Sequence, residues 1–290
     1  MLFSNFAILT SVALSAVSAL PLQKRGASTC SFPTDAGLVS ITPDSLNAGW
    51  AMSPDQACTP GKYCPYACPP GKVAAQWDPS STSYTYPQSM NGGLYCNADG
   101  TVSKPFSDRD YCVDSTGSVE VNNKASANVA FCQTVLPGNE AMLIPTNIKD
   151  GKTKAIAVPG SNYWAQTSAH FYVNAPGVST TDGCVWGSKE KPEGNWAPYV
   201  AGTNTDSTGL TYVKLGWNPI YVEDFNGKQP NFGLRVTCDN AADCVGSCEI
   251  DPSKDAFNTI TGSSATTAGG SFCVVTVKNN ASAKIEVFEV

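Results

Sequence analysis

Histidine is nearly absent: His170 is the only one in 290 residues. Any imidazole-based proton transfer would therefore have to be built around that one position. His170 sits in an alternating stretch, where a residue on the strand surface is the simpler expectation. Charge is also scarce, at 14% of the chain, against about 25% in a typical soluble domain. With so few charged helix-formers, and with 25 glycines and 20 prolines, a coiled coil, a helical bundle and a charge-rich disordered chain are excluded. The sequence has no G-x-S-x-G, no H-E-x-x-H and no P-loop, so the common serine-hydrolase, zinc-protease and nucleotide signatures are missing. It also has no internal repeat and no low-complexity linker. Net charge is −6, and an acidic chain has no bulk attraction for nucleic acid or anionic lipid. The expected partner is neutral.

Long apolar runs are missing except at the start. Phe6 to Val17 is too short to span a bilayer comfortably and ends at Val17-Ser18-Ala19, a small-x-small cleavage pattern. Residues 1–19 are expected to be a signal peptide, although its first segment lacks Lys and Arg. Residues 20–25, ending in Lys24-Arg25, are expected to be a propeptide cut by a dibasic protease. That leaves 26–290 as one secreted unit with no membrane segment. Lys284 to Val290 is charged and lacks the hydrophobic tail of a GPI signal.

All 12 cysteines lie beyond the leader. An even count in an oxidising compartment reads as disulfides, with the pairing left open. Cys64-x3-Cys68 and Cys244-x3-Cys248 have tolerable zinc spacing, but the lone histidine and the compartment favour disulfides. No metal and no cofactor are expected. Asn280-Ala281-Ser282 is a sequon, so Asn280 is a candidate glycosylation site on the surface.

Strand patterns are short and frequent. Ala169-Phe171-Val173 alternates with His170-Tyr172, Val213-Leu215-Trp217 with Tyr212-Lys214, and Ile285-Val287 with Glu286-Phe288. Ala155 to Val158 and Phe272 to Val277 are β-branched runs. Turn signals such as Pro159-Gly160, Pro176-Gly177 and Asn226-Gly227 separate them. The expected fold is mainly β: an antiparallel sandwich-like domain with a disulfide-rich, loop-rich N-terminal lobe. The lobe covers about 30–112 and holds six cysteines; the β-rich part covers about 113–290. A thaumatin-like cleft between sandwich and lobe is an analogy to this arrangement.

Carboxylates and aromatics are the remaining chemical resources. Sugar rings stack their C–H faces on aromatic rings, while amides and carboxylates bond their hydroxyls. Trp186, Trp196 and Tyr199 cluster around a turn, and Trp164 and Trp217 extend the set of candidate sugar-binding residues. The competing reading is that these large rings are core. Glycoside hydrolysis needs two carboxyls. Asp182 lies beside Cys184 and Trp186, Glu140 lies before Met142-Leu143-Ile144, Asp110 precedes Tyr111-Cys112, and Asp206 follows Asn204-Thr205. Each alone reads more simply as a turn or capping residue.

Cys58-x5-Cys64-x3-Cys68 followed by Cys96 resembles the cysteine signature of the fungal SUN family of secreted cell-wall proteins. The stretches Gly61 to Cys68, Gly92 to Cys96, Leu136 to Glu140, Tyr172 to Val178, Asp182 to Gly187 and Gly194 to Pro198 extend the resemblance from Cys30 to the C-terminus. Two departures are a somewhat longer Cys68–Cys96 gap and the absence of a Ser/Thr-rich spacer. The resemblance implies a secreted or wall-associated glycoside hydrolase; the chain is expected to be a monomer. It implies action on β-1,3-glucan in wall remodelling, septation and cell separation. It ranks Asp110, Glu140, Asp182 and Asp206 above other acids and lowers His170 and Glu193. A non-catalytic β-glucan-binding wall protein is the other reading of the same aromatics.

Overall fold

A computed structural model describes residues 29–83, 91–135, 143–262 and 264–290. The expected leader, propeptide and Glu140 lie outside them. Two sheets face each other across one core. The larger runs Cys244–Val245, Gly270–Val277, Thr211–Trp217, Tyr199–Thr205, Ala169–Val173, Val129–Thr134, Leu143–Ile148, with Ser264–Thr267 also paired to Gly270–Val277. All its pairings are antiparallel. The second runs Thr261–Gly262, Cys248–Ile250, Phe232–Cys238, Ala283–Glu289, Val119–Asn123, Thr153–Ala155. Its Ala283–Glu289/Val119–Asn123 pair is parallel.

The period-2 patterns explain the sandwich. Phe171 and Val173, Tyr199 and Ala201, Val213, Leu215 and Trp217, and Val275 and Val277 point inward from the large sheet. They meet Val119 and Val121, Phe232 and Leu234, and Ile285 and Val287 from the second. Alternate residues face opposite sides of a strand, so one face of each sheet is sealed in the core; the other is open except in places such as Ala130 and Cys132, which the Cys184 loop covers. The Ala155–Val158 run departs from expectation. Only Ala155 is in a strand; Ile156 to Val158 continue as buried irregular chain, and Pro159, which lacks an N–H to donate, follows them.

The lobe has its own core, in which Trp50 and Phe32 meet edge to face at 5.4 Å. The buried Trp50 indole donates to the Cys30 carbonyl at 3.0 Å. Disulfides Cys30–Cys96, Cys58–Cys64 and Cys68–Cys112 lie wholly within it. Cys132–Cys184, Cys238–Cys244 and Cys248–Cys273 clamp the β part. The sulfurs of Cys30, Cys58 and Cys96 cluster within 4.8 Å, but all are disulfide-bonded and offer no thiolate to a metal.

The outer face of the second sheet carries a buried carboxylate, Glu286. Lys124 Nζ reaches Oε1 at 2.5 Å and Arg235 Nε reaches Oε2 at 2.7 Å. Burial alone would raise its carboxyl, but the two cations outweigh burial and hold it below the usual range. A depressed folded-state value stabilises the fold above the unfolded value, about 4.3 for Glu. That contribution fades as pH falls through the folded value. Glu286→Gln is therefore expected to cost about 1 kcal/mol at neutral pH, because both cations it pairs with are more than a third exposed. The gap to wild type should close in acid, and a gap independent of pH in urea titrations from pH 7 to 3 would refute this role.

Candidate functional site

The segment between Val173 and Tyr199 folds back over one end of the large sheet. Cys184 ties it to Cys132 on strand Val129–Thr134. Three buried asparagines shape it. Asn174 donates to Gly183 O at 3.3 Å and accepts from Gly194 N at 3.0 Å. Asn195 Oδ1 accepts from Gly187 N at 2.9 Å. Asn218 donates to Asn195 O and Ala197 O at 2.7 and 2.8 Å. These amides satisfy buried backbone groups that no ladder reaches. The two limbs touch so closely that a Cβ on Gly187 would lie 2.0 Å from Glu193 O, and one on Gly194 would lie 2.0 Å from Val185 O. Gly194 also has φ +57°, a conformation other residues adopt at a cost.

This scaffold displays the candidate chemistry. Trp186 is 52% exposed, a large ring held out to water. Trp196 is half-buried, and its indole donates to Asp224 Oδ2 at 2.9 Å. Asp224, at the end of helix Pro219–Asp224, also pairs with Lys189 at 3.0 Å. The indole first, and then the ammonium, hold its carboxyl below the usual range.

Asp182 lies in the short helix Thr180–Gly183, where Ser179 accepts from its N–H and donates to Oδ2 at 2.6 Å. Lys191 Nζ stands 3.9 Å from Asp182 Oδ1 and 3.0 Å from Glu193 Oε2, so the two carboxylates are no more than about 7 Å apart. That upper bound admits the separation of a retaining glycosidase pair, roughly 5–5.5 Å, and the lower end of the inverting range, roughly 6.5–9.5 Å. Glu193 Oε2 is sealed from solvent and has no well-directed hydrogen bond. Its charge is instead met by the Lys191 ammonium at 3.0 Å, so the acid is held inside the loop by an ion pair. Behind the helix, a groove of about 490 Å³ separates Thr180, Thr181 and Val185 from Ile41, Pro43 and Asp44 of the lobe.

The other expected site residues lie elsewhere. Tyr199 and Trp217 are core, meeting edge to face at 5.1 Å. The Tyr199 hydroxyl donates to Phe232 O and the Trp217 indole to Thr259 O, both at 3.0 Å. Burial drives the Tyr199 phenol far above its usual value. Trp164 is buried too, donating to Ser81 Oγ at 3.1 Å. None of these three rings offers a face to a sugar, because each fills space between elements, which corrects their placement in a groove. Asp206 closes the hairpin after Tyr199–Thr205, accepting from Thr208 N, Thr208 Oγ1, Leu210 N and Tyr212 OH. The Thr208 hydroxyl and its other donors hold its carboxyl low. Asp110 is exposed on the lobe. Asp206 is remote from Asp182, at the opposite end of a seven-residue strand. Asn280 is exposed in a turn, where a glycan would have room. Sequence reasoning set Glu193 aside and missed Lys191 and Asp224, whose roles come only from the folding-back of the loop.

No solved structure matches the chain. Among known sequences, the uncharacterized protein YMR244W of Saccharomyces cerevisiae is 54% identical over 275 residues, covering 92% of this chain and 77% of that one. The probable secreted beta-glucosidase adg3 of Schizosaccharomyces pombe is 52% identical over 272 residues, covering 92% of this chain but 24% of its own length. The probable secreted beta-glucosidase UTH1 of S. cerevisiae is 35% identical over 239 residues, 78% of this chain and 63% of that one. The family model described as "Beta-glucosidase (SUN family)" matches residues 25–275. With that match covering most of its length, and with the Asp182–Trp186 and Gly194–Pro198 segments meeting in one folded-back loop, this chain belongs to the SUN family.

Proposed function

We propose that the chain is a secreted fungal glycoside hydrolase acting on β-1,3-glucan of the cell wall, in wall remodelling and septation. The observation that carries this reading is the Asp182–Glu193 pair around Lys191, beside the exposed Trp186 ring. Trp186 would stack a glucose face. Glu193, the more enclosed acid, would give a proton to the glycosidic oxygen as the bond to the departing sugar breaks. Asp182, open to solvent, would activate water or attack the anomeric carbon. Relatives named as secreted beta-glucosidases support both secretion and the bond type.

A second reading, a non-catalytic glucan-binding protein, has its own support. Across the outer face of the large sheet, Tyr172, Val200, Gly216 and Phe272 lie in one cross-strand row. This is a half-buried strip with an aromatic ring at either side, suited to a flat polysaccharide.

One assay separates them. The secreted chain is incubated with insoluble β-1,3-glucan, and depletion and new reducing ends are scored in the same tube. Trp186→Ala is expected to weaken depletion about tenfold, the loss of one stacking contact of about 1.4 kcal/mol. Depletion by wild type with no new ends would establish the binding reading and overturn the hydrolase.

A further inference from the structure

We propose that the cleft between the cysteine-rich lobe and the sandwich is a second saccharide site, taking a neutral pyranose separately from the carboxylate loop. The cleft holds about 630 Å³, within the range of small-ligand sites. Its aromatic wall is Trp77, a half-buried ring. Edge-to-face contacts with Phe106 at 5.2 Å and Tyr163 at 5.8 Å fix its orientation. The Arg109 guanidinium lies 5.3 Å from the Trp77 ring centre and 4.0 Å from that of Phe106.

A pyranose presents C–H groups on its faces and hydroxyls around its rim. The cleft matches both. Trp77 supplies apolar surface, while Arg109, Asn162 and Thr116 supply donors and acceptors around it. Ser115, also in the lining, has a hydroxyl enclosed without a hydrogen-bond partner, a vacancy that costs stability unless something fills it. Asp114 is already paired with Lys72, which leaves the Arg109 guanidinium as a donor to sugar hydroxyls.

The two sites are well apart. Thr116 accepts from the Thr205 hydroxyl at 3.0 Å, and Pro159 O accepts from Thr205 N at 2.8 Å, so the cleft sits at the Thr205 end of strand Tyr199–Thr205. Trp196 precedes the other end. Seven residues at about 3.3 Å each separate them by roughly 20 Å. This inference shares with the proposed function only the premise that the ligand is a saccharide; hydrolysis is not required.

The test titrates laminaritriose, the β-1,3-linked glucose trimer, by calorimetry into the full secreted chain carrying D182N and E193Q, so that the sugar is not consumed. Arg109→Ala and Asn162→Ala, both at exposed positions, are added singly, with thermal melts to confirm folding. Each is expected to weaken binding about tenfold. Unchanged affinity in both, no binding at all, or complete loss on Trp186→Ala alone would overturn the cleft site. Reducing-end release by the otherwise wild-type chain is scored separately. Weakened binding in a chain that makes no ends would sustain the cleft and sink the hydrolase, and the converse would do the reverse.

Discussion

Replacing Glu193 by Gln is expected to cut reducing-end release from β-1,3-glucan by about 10²–10⁴-fold, the range set by loss of one general acid or base. Retention on insoluble glucan should be nearly unchanged. The swap keeps size and removes the ability to give or take a proton. The Glu193 backbone, packed against Gly187, is untouched. Asp182→Asn should cause a loss of similar size. Its amide oxygen can still accept from Ser179, so the short helix should persist. If both variants release ends at the wild-type rate, the pair is structural, and the chemistry must lie on another acid.

Removing the Cys132–Cys184 disulfide by paired alanines is expected to cost about 4 kcal/mol, whereas removing Cys238–Cys244 should cost about 2 kcal/mol. The contrast follows from loop length: the first bridge joins residues 52 apart in sequence, the second only 6 apart. The first loss should also reach function, because Cys184 pins the loop that carries Asp182, Trp186 and Glu193. Glucan retention should fall below the unfolding midpoint in that variant and stay intact in the other. Equal losses in denaturant titrations would mean that the asparagine network alone holds the loop.

Alternation was enough to read strands Ala169–Val173, Thr211–Trp217 and Ala283–Glu289 from the sequence, since Phe171, Leu215 and Ile285 each fall on the inward face. The lobe was legible from cysteine density, and its six cysteines pair only among themselves. The parallel pairing of Val119–Asn123 with Ala283–Glu289 was not legible, because no local pattern encodes a partner so distant. At the site, Trp186 and Asp182 could be named but Trp217 and Tyr199 could not be told apart from them. Whether an indole faces water or core is decided by strand register, and both rings stand on inward positions. Glu193 was missed because its worth depends on Lys191 and on a backbone crossing set by buried Asn174, Asn195 and Asn218. A buried amide looks like any surface asparagine in a sequence.

The placement of strand Ala283–Glu289 in the interior of the second sheet, between Phe232–Cys238 and Val119–Asn123, sets the timing of assembly. As the chain emerges during synthesis, Val119–Asn123 waits more than 150 residues for its neighbour, and contacts this distant in sequence form slowly. Until residue 289 is out, the second sheet has a gap at its centre, and Val119, Val121, Phe232 and Leu234 lack their cover. Cysteines are oxidising over the same interval. Nascent-chain folding should therefore depend on chaperones that shield an open β-edge, and pulse-chase maturation should show the lobe's three bridges closing well before the sandwich becomes protease-resistant.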